Sequence, residues 1–377
     1  MFNHKMNMKI SIIILVLINL SLSQEWRISE HGYIKAFPKG LTSQKGKLIN
    51  CEASAIVFDG KNIILGNDKD IPSDTNIERS AIFFIKFNSF KKNQVKYFKN
   101  DIFKNARKYE DFTITPDGVY ILATTGFDRS NPNNPSKTDM YNTVLFWPVA
   151  EPEKVSIVTP IQRNGITSSI GLRGNILSVL NKNKNQGLIK YIKIEGLAAI
   201  PGKKLLFGIR EYGQSYKKFT YTIKIISVSY QIIKGEILLA DDFQLIYDFT
   251  PTGFGKKLNY ETIALSSIEY NKYDDALLLL TSYEKEINGK IIDESIGAFL
   301  WNLPIKSLEK GLKPKLLYFN EKPIHFSHKA EGITIISKNK IMIIHDDDRV
   351  TGRAFITNPD TQFSRKRNQA CYTILER

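Results

Sequence analysis

The chain has 377 residues, with 53 Lys and Arg against 38 Asp and Glu, a formal charge of +15, and 42% hydrophobic residues. Its 22 Phe, 17 Tyr and 3 Trp can fill a large core, which excludes a disordered chain. Two cysteines, Cys51 and Cys371, exclude a disulfide-dense scaffold and have no spacing suited to zinc or a redox motif.

In chain order, residues 1–23 read as a secretory signal. Lys5 and Lys9 lead into an apolar stretch over 10–20, and Ser21-Leu22-Ser23 offers small residues for cleavage. The stretch is short for a membrane span, and nothing later reaches ~18 uninterrupted apolar residues. The expectation is an exported chain, secreted or periplasmic, whose residues 24–377 form one monomeric domain of charge +13.

From Glu52 onward the chain is organised by a repeat, the feature that decides the architecture. Each copy has a Glu, alternating small and apolar residues, a turn, an apolar run and a polar cluster. The copies are CEASAIVFDGKNIILGND at Glu52, YEDFTITPDGVYILATTG at Glu110, IEGLAAIPGKKLLFGIRE at Glu195, YETIALSSIEYNKYDDALLLLTS at Glu261 and AEGITIISKNKIMIIHDDD at Glu331. Four keep one spacing, which places Asn67, Thr125, Arg210 and Asp346 at equivalent positions; the copy at Glu261 is lengthened around 270–275. The period-two alternation and the turn residues predict two strands per copy. Third strands are expected over 81–87, 143–149, 221–229, 296–303 and 353–357, and fourth strands over 95–98, 155–158, 244–249 and 316–319. Helical periodicity is confined to 170–180. Four strands per unit, repeated along the chain, predict an all-β fold, a β-propeller.

Five blades fit best. The segments before Glu52 and after Glu331 together match one further interval, so the ring would close across the termini with residues 25–37 as an outer strand. Six blades would need a degenerate copy near 168–181, but the stretch from Ser168 to Glu195 is too short for four strands. Cys51 and Cys371 stand near opposite ends of the ring. In an exported protein a disulfide between them would tie those ends, and two buried thiols are the alternative.

On a propeller, equivalent positions of the innermost strands converge on one axis. Glu52, Glu110, Glu195, Glu261 and Glu331 would then form a carboxylate ring, which cannot stay ionised without compensation. A hard cation, calcium first, is one solution; backbone N–H groups with Arg210 are another, leaving the ring structural. Nearby would lie Asn67, Asp68, Thr125, Arg210, Glu211, Asp346 and Asp347. In the run His345-Asp346-Asp347-Asp348, an Asp or His beside a metal-bound water could act as general base. His325 and His328 read as ligands, an acid–base pair or loop histidines. No G-x-S-x-G, H-E-x-x-H or Walker A pattern is present. The positive excess favours a small anionic or ester ligand, and the lysines match no recognisable nucleic-acid module.

Lys329-Ala330-Glu331-Gly332-Ile333 followed by Asp346-Asp347-Asp348 resembles the final repeat of the phytase-like, or esterase-like, bacterial propellers. Ile194-Glu195-Gly196-Leu197-Ala198 with Leu205-Leu206-Phe207-Gly208-Ile209-Arg210 is similar to a segment of related uncharacterised exported propellers. More distantly, the chain resembles the paraoxonase and gluconolactonase group. That resemblance implies a metal-ligand role for Glu52, further ligands at Asn67 and Asp347, and a disulfide joining Cys51 to Cys371. Those families have six blades, against five repeats here. Two functions stand as expectations. One is a calcium-dependent hydrolase of phosphate or carboxylic esters, with Glu52, Glu195 and Glu331 beside the metal and Asp346 or Asp347 as base. The other is a non-catalytic ligand- or protein-binding propeller with a structural Glu ring.

Overall fold

The computed structural model describes residues 25–42, 46–69, 71, 80–90, 95–182, 187–249, 263–287, 290–346, 354–358 and 361–377. Five antiparallel sheets form five blades. Blade 1 comprises Ala53–Phe58, Asn62–Asn67, Ile82–Lys86 and Lys96–Tyr97; blade 2 comprises Tyr109–Ile114, Tyr120–Thr125, Val144–Pro148 and Ser156–Ile157. Blade 3 is built from Tyr191–Ile200, Lys204–Ser215, Lys218–Ile233 and Gln244–Phe249, with Glu236–Leu239 extending its third strand as a hairpin. Blade 4 has Ala264–Asn271, Ala276–Ile287, Lys290–Pro304 and Lys315–Leu316, and His325–Phe326 also pairs with its third strand.

Blade 5 takes strands from both ends of the chain. Its order from the axis outward is Ala330–Ser337, Lys340–His345, Gln369–Glu376 and then Arg27–Lys35. The third strand expected over 353–357 is therefore displaced. Ala354–Asn358 pairs with Thr361–Ser364 in a separate hairpin, and Gln369–Glu376 takes the third position. Its burial explains the choice: Ala370, Cys371, Tyr372, Ile374 and Leu375 are all buried, matching the two-sided packing of a strand inside a blade. Each innermost strand packs against the next, and Ala330–Ser337 packs against Ala53–Phe58, so the ring is continuous.

Innermost strands are buried on both faces and so are written in small and apolar residues, such as Ala53, Ser54, Ala55, Ile56 and Val57. Crowding is tightest between blades 3 and 4, where a Cβ added at Gly208 would lie 2.3 Å from Leu265 Cδ2. The stretch weighed as a sixth blade, 168–181, instead forms the helix Ile170–Leu180, preceded by a short hairpin of Ile161–Arg163 with Ile166–Ser168. This helix buries Leu172, Ile176, Val179 and Leu180 in the core shared by blades 2 and 3.

The two faces of the ring differ. On one, the turns between first and second strands are short: 59–61, 115–119, 201–203, 272–275 and 338–339. On the other lie the connection 126–143, the described residues 158–182 and 187–190 between blades 2 and 3, and the extended hairpins of blades 3 and 4. Connecting loops carry function on a rigid scaffold, and the acidic ring lies at this second face.

Candidate functional site: a charged hub on the propeller axis

The innermost strand of every blade carries a β-bulge where it pairs with the second strand. The unpaired residue is Ser54 in blade 1, Glu110 in blade 2, Glu195 in blade 3, Ser266 in blade 4 and Glu331 in blade 5. A bulge re-aims a side chain, and here the bulged glutamates meet. One carboxylate oxygen from each of Glu110, Glu195 and Glu331 lies within 4.8 Å of the others. Among the described residues, the expected ring of glutamates reduces to Glu110, Glu195 and Glu331, with Ser54 and Ser266 at the equivalent bulge positions. Glu52 sits two residues ahead of the bulge, and Glu261 lies outside the described residues. The repeat alignment missed this because the bulge shifts register by one residue and the strand-to-strand turns differ in length.

Two residues before each bulged glutamate is a lysine: Lys108, Lys193 and Lys329. Side chains at i and i+2 share one face of a strand, so each ammonium stands over its own glutamate. Lys329 Nζ lies 2.8 Å from Glu331 and 3.7 Å from Glu284. Lys193 is paired with Glu195 and stands 3.5 Å from Glu110. Lys108 lies 3.3 Å from Glu110 and 2.8 Å from Asp128. In blade 1 the equivalent position holds Glu52, which pairs at 2.8 Å with Lys69. The Lys-x-Glu triplets at 108–110, 193–195 and 329–331 were the sequence signal for these cations.

Arg210 completes the neutralisation. Its guanidinium donates to Glu195 at 2.9 Å, the Leu265 carbonyl at 3.0 Å, Ser266 Oγ at 3.0 Å and Ser282 Oγ at 3.1 Å, joining blade 3 to blade 4. Burial pushes the Glu110 carboxyl up to about 8 against the pull of Lys193 and Lys108. It pushes Glu331 up to about 7 against Lys329. Glu195 is held below the usual carboxylate range because Arg210 and Lys193 outweigh its burial.

Beside the ring, Asp111 was not singled out in the sequence. Its fully buried carboxylate accepts from Leu197 N at 2.8 Å, Ser267 Oγ at 3.0 Å and Ile268 N at 3.2 Å. One side chain of blade 2 thus engages blades 3 and 4. Thr113 accepts from Ala199 N, and Thr334 of blade 5 accepts from Phe58 N of blade 1.

The remaining expected site residues disperse. Asn67 is buried and donates to the Lys69 carbonyl; Asp68 lies 3.3 Å from Lys69. Thr125 bonds within blade 2 to Thr143. Glu211 accepts from Tyr191 Oη at 2.6 Å. Asp346 pairs with Arg365 at 3.3 Å, whereas His345 turns away to bond Thr373 Oγ1 at 2.7 Å, the same hydroxyl that His31 meets at 2.7 Å. Burial drops His345 well below the ordinary histidine value. Strand alternation thus sends His345 and Asp346 to different partners, and Asp347 and Asp348 lie outside the described residues. His328 is buried with its ring edge-on to His345, and His325 stacks on Tyr283 with Nε2 2.9 Å from its hydroxyl. Cys51 and Cys371 are buried thiols, so the expected cross-link is not formed in this structure. Burial raises the Cys51 thiol, and its neighbours Arg365, Asp346 and Cys371 also act on it.

No family model and no curated protein matches the chain. Among solved structures, it is similar to a chain of a nidogen/laminin complex at 8% identity and TM-score 0.38, covering 93% of this chain and 97% of that one. It is also similar to a DUF4221 family member from Bacteroides vulgatus at 8% and 0.38, covering 93% and 98%. A PQQ-bound aldose sugar dehydrogenase from Streptomyces coelicolor is similar at 8% and 0.32, covering 92% and 99%.

Proposed function

We propose that this protein is an exported, non-catalytic binding propeller. The charged hub locks its blades, and its loop-bearing face takes a small anionic ligand. One observation carries the reading: the carboxylates of Glu110, Glu195 and Glu331 are already compensated by Lys108, Lys193, Lys329 and Arg210. A hydrolytic metal centre needs carboxylates with open coordination positions. Here a divalent cation would have to enter among three ammonium groups and a guanidinium, a repulsion strengthened by burial. The hub also bonds one blade to the next, which is the work of a structural core. The positive excess of the chain supports an anionic ligand.

The second reading is the calcium-dependent esterase or phosphoesterase, and it rests on the convergence of three carboxylate oxygens. Calcium titration separates the two, read by thermal melting alongside turnover of aryl-ester and phosphomonoester substrates. The binding reading expects a melting temperature unchanged by calcium or chelator, and no turnover. A saturable calcium-dependent rise that disappears in Glu331→Gln, or calcium-dependent turnover, would replace it with the hydrolase.

A further inference from the structure

Off the axis, on the same loop-bearing face, a cavity of about 870 Å³ opens between blades 2 and 3. Its walls come from the loop after Phe127, the helix Ile170–Leu180, residues 188–191 entering blade 3, and the tip of the long blade 3 hairpin. The volume lies within the range of small-molecule sites. The rim presents Leu188, 62% exposed, and Tyr216, 66% exposed, two large apolar side chains at one opening.

The charges lining the cavity are unequal. Asp128 is the acid in its wall, and Lys108 of the hub already pairs with it at 2.8 Å. Arg163 is bound through two nitrogens to Asp139, both bonds 2.7 Å. That leaves Arg129, Arg173 and Lys190. Arg129 stands 3.5 Å from the already paired Asp128, with its guanidinium over the Tyr141 ring.

Arg173 is the unusual member. It is buried, and its terminal nitrogens donate to the carbonyls of Phe127 and Lys190. Among the described residues it makes no ion pair. Neutral carbonyls orient a guanidinium without balancing its charge, and a buried charge without a counter-ion is costly. Burial lowers its pKa, against the more distant pull of Asp128, whose own direct partner is Lys108.

We infer that this cavity binds an amphipathic organic anion, with its carboxylate or phosphate head at Arg173 and its apolar body against Leu177, Leu188 and Tyr216. The anion would supply the direct ion-pair partner that Arg173 lacks among the described residues, and the apolar rim would be covered by its tail. This deepens the binding reading above by naming a site and a ligand class on the same face.

The test uses octanoate and octyl phosphate as probes, with octylammonium and inorganic phosphate as controls, read by titration calorimetry on the full chain. Saturable binding of either anionic amphiphile, one per chain, is expected, with none for the controls. Arg173→Met should weaken it tenfold or more. Because Arg173 also ties two carbonyls, a second variant avoids its hydrogen bonds. A Cβ at Gly174 meets nothing within 4 Å, so Gly174→Trp should fill the cavity, leave melting intact and abolish binding. Absence of saturable binding, equal binding of octylammonium, or unchanged binding in Gly174→Trp would overturn the inference. In the last case the anion sits elsewhere, and the proposed function survives. If calcium binds at the hub, that function falls whatever the cavity does.

Discussion

The guanidinium of Arg210 reaches across a blade boundary, and its removal would strand Glu195 in a buried site with one of its two cationic partners gone. Arg210→Met should therefore cost about 3–5 kcal/mol in denaturant unfolding, the usual penalty for breaking a buried pair from one side. A loss below about 1 kcal/mol, typical of exposed pairs, would mean that the hub is not structural. Glu110 tests the same cluster through its proton. Its carboxyl is raised from 4.5 to about 8 in the folded chain, with burial the largest cause. The folded state thus holds a proton that the unfolded state has lost, and stability falls as pH rises through that window. Glu331 acts in the same direction, up to about 7. Glu195, depressed, contributes above its unfolded value and loses that contribution in acid. Lys108 and Lys193 are raised, so they keep their charge across the window. Glu110→Gln should flatten the decline in stability between about pH 5 and 9. Parallel profiles for variant and parent would count against a proton on Glu110.

Among the elements, the strand Arg27–Lys35 bears the most on ring integrity. It covers the outer edge of Gln369–Glu376, with Ile34 buried and Tyr372 Oη donating to Glu30 at 2.7 Å. Trp26 and Ala36 at its ends are buried as well. Without it, blade 5 would present an open, apolar edge strand, a template for pairing between chains. A chain lacking residues 25–36 should melt lower and self-associate, measured by calorimetry and light scattering, relative to one beginning at Glu25. Equal melting and a monomeric profile would show that the strand is dispensable. The other informative element is the helix Ile170–Leu180, which fills the long interval between the second and third repeats and supplies both Arg173 and Gly174 to the cavity.

At the scale of the whole molecule, short first-to-second-strand turns gather on one face and longer connections on the other, so the ring is a frame that presents its loops from one side. Much of this was legible in the residue order. The repeated Glu, the period-two runs and the Gly or Asp turns define strands and their order, because alternation and turn chemistry are local properties. The helix at 170–180 and the outer role of 25–37 were readable for the same reason. Less local features were hidden. The third strand of blade 5 lies at 369–376 rather than 353–357, since which apolar run fills an interior position depends on what it packs between. Glu52 was assigned to the ring by spacing, yet the blade 1 bulge falls on Ser54. Asp111 looked like any acidic neighbour of Glu110 until blades 3 and 4 brought Leu197, Ser267 and Ile268 to it.

By itself, then, the amino-acid order determined that five alternating units would build five sheets, and that acidic positions would recur near their inner edges. Tertiary structure decided which acids meet, how Arg210 ties Glu195 to blade 4, and where Arg173 lines a cavity with no direct ion pair among the described residues. The physical reason is range. Strand alternation and the Lys-x-Glu pairs are set within a few residues, whereas the meeting of Glu110, Glu195 and Glu331 joins residues about a hundred or more positions apart, at bulges whose positions only the assembled ring specifies.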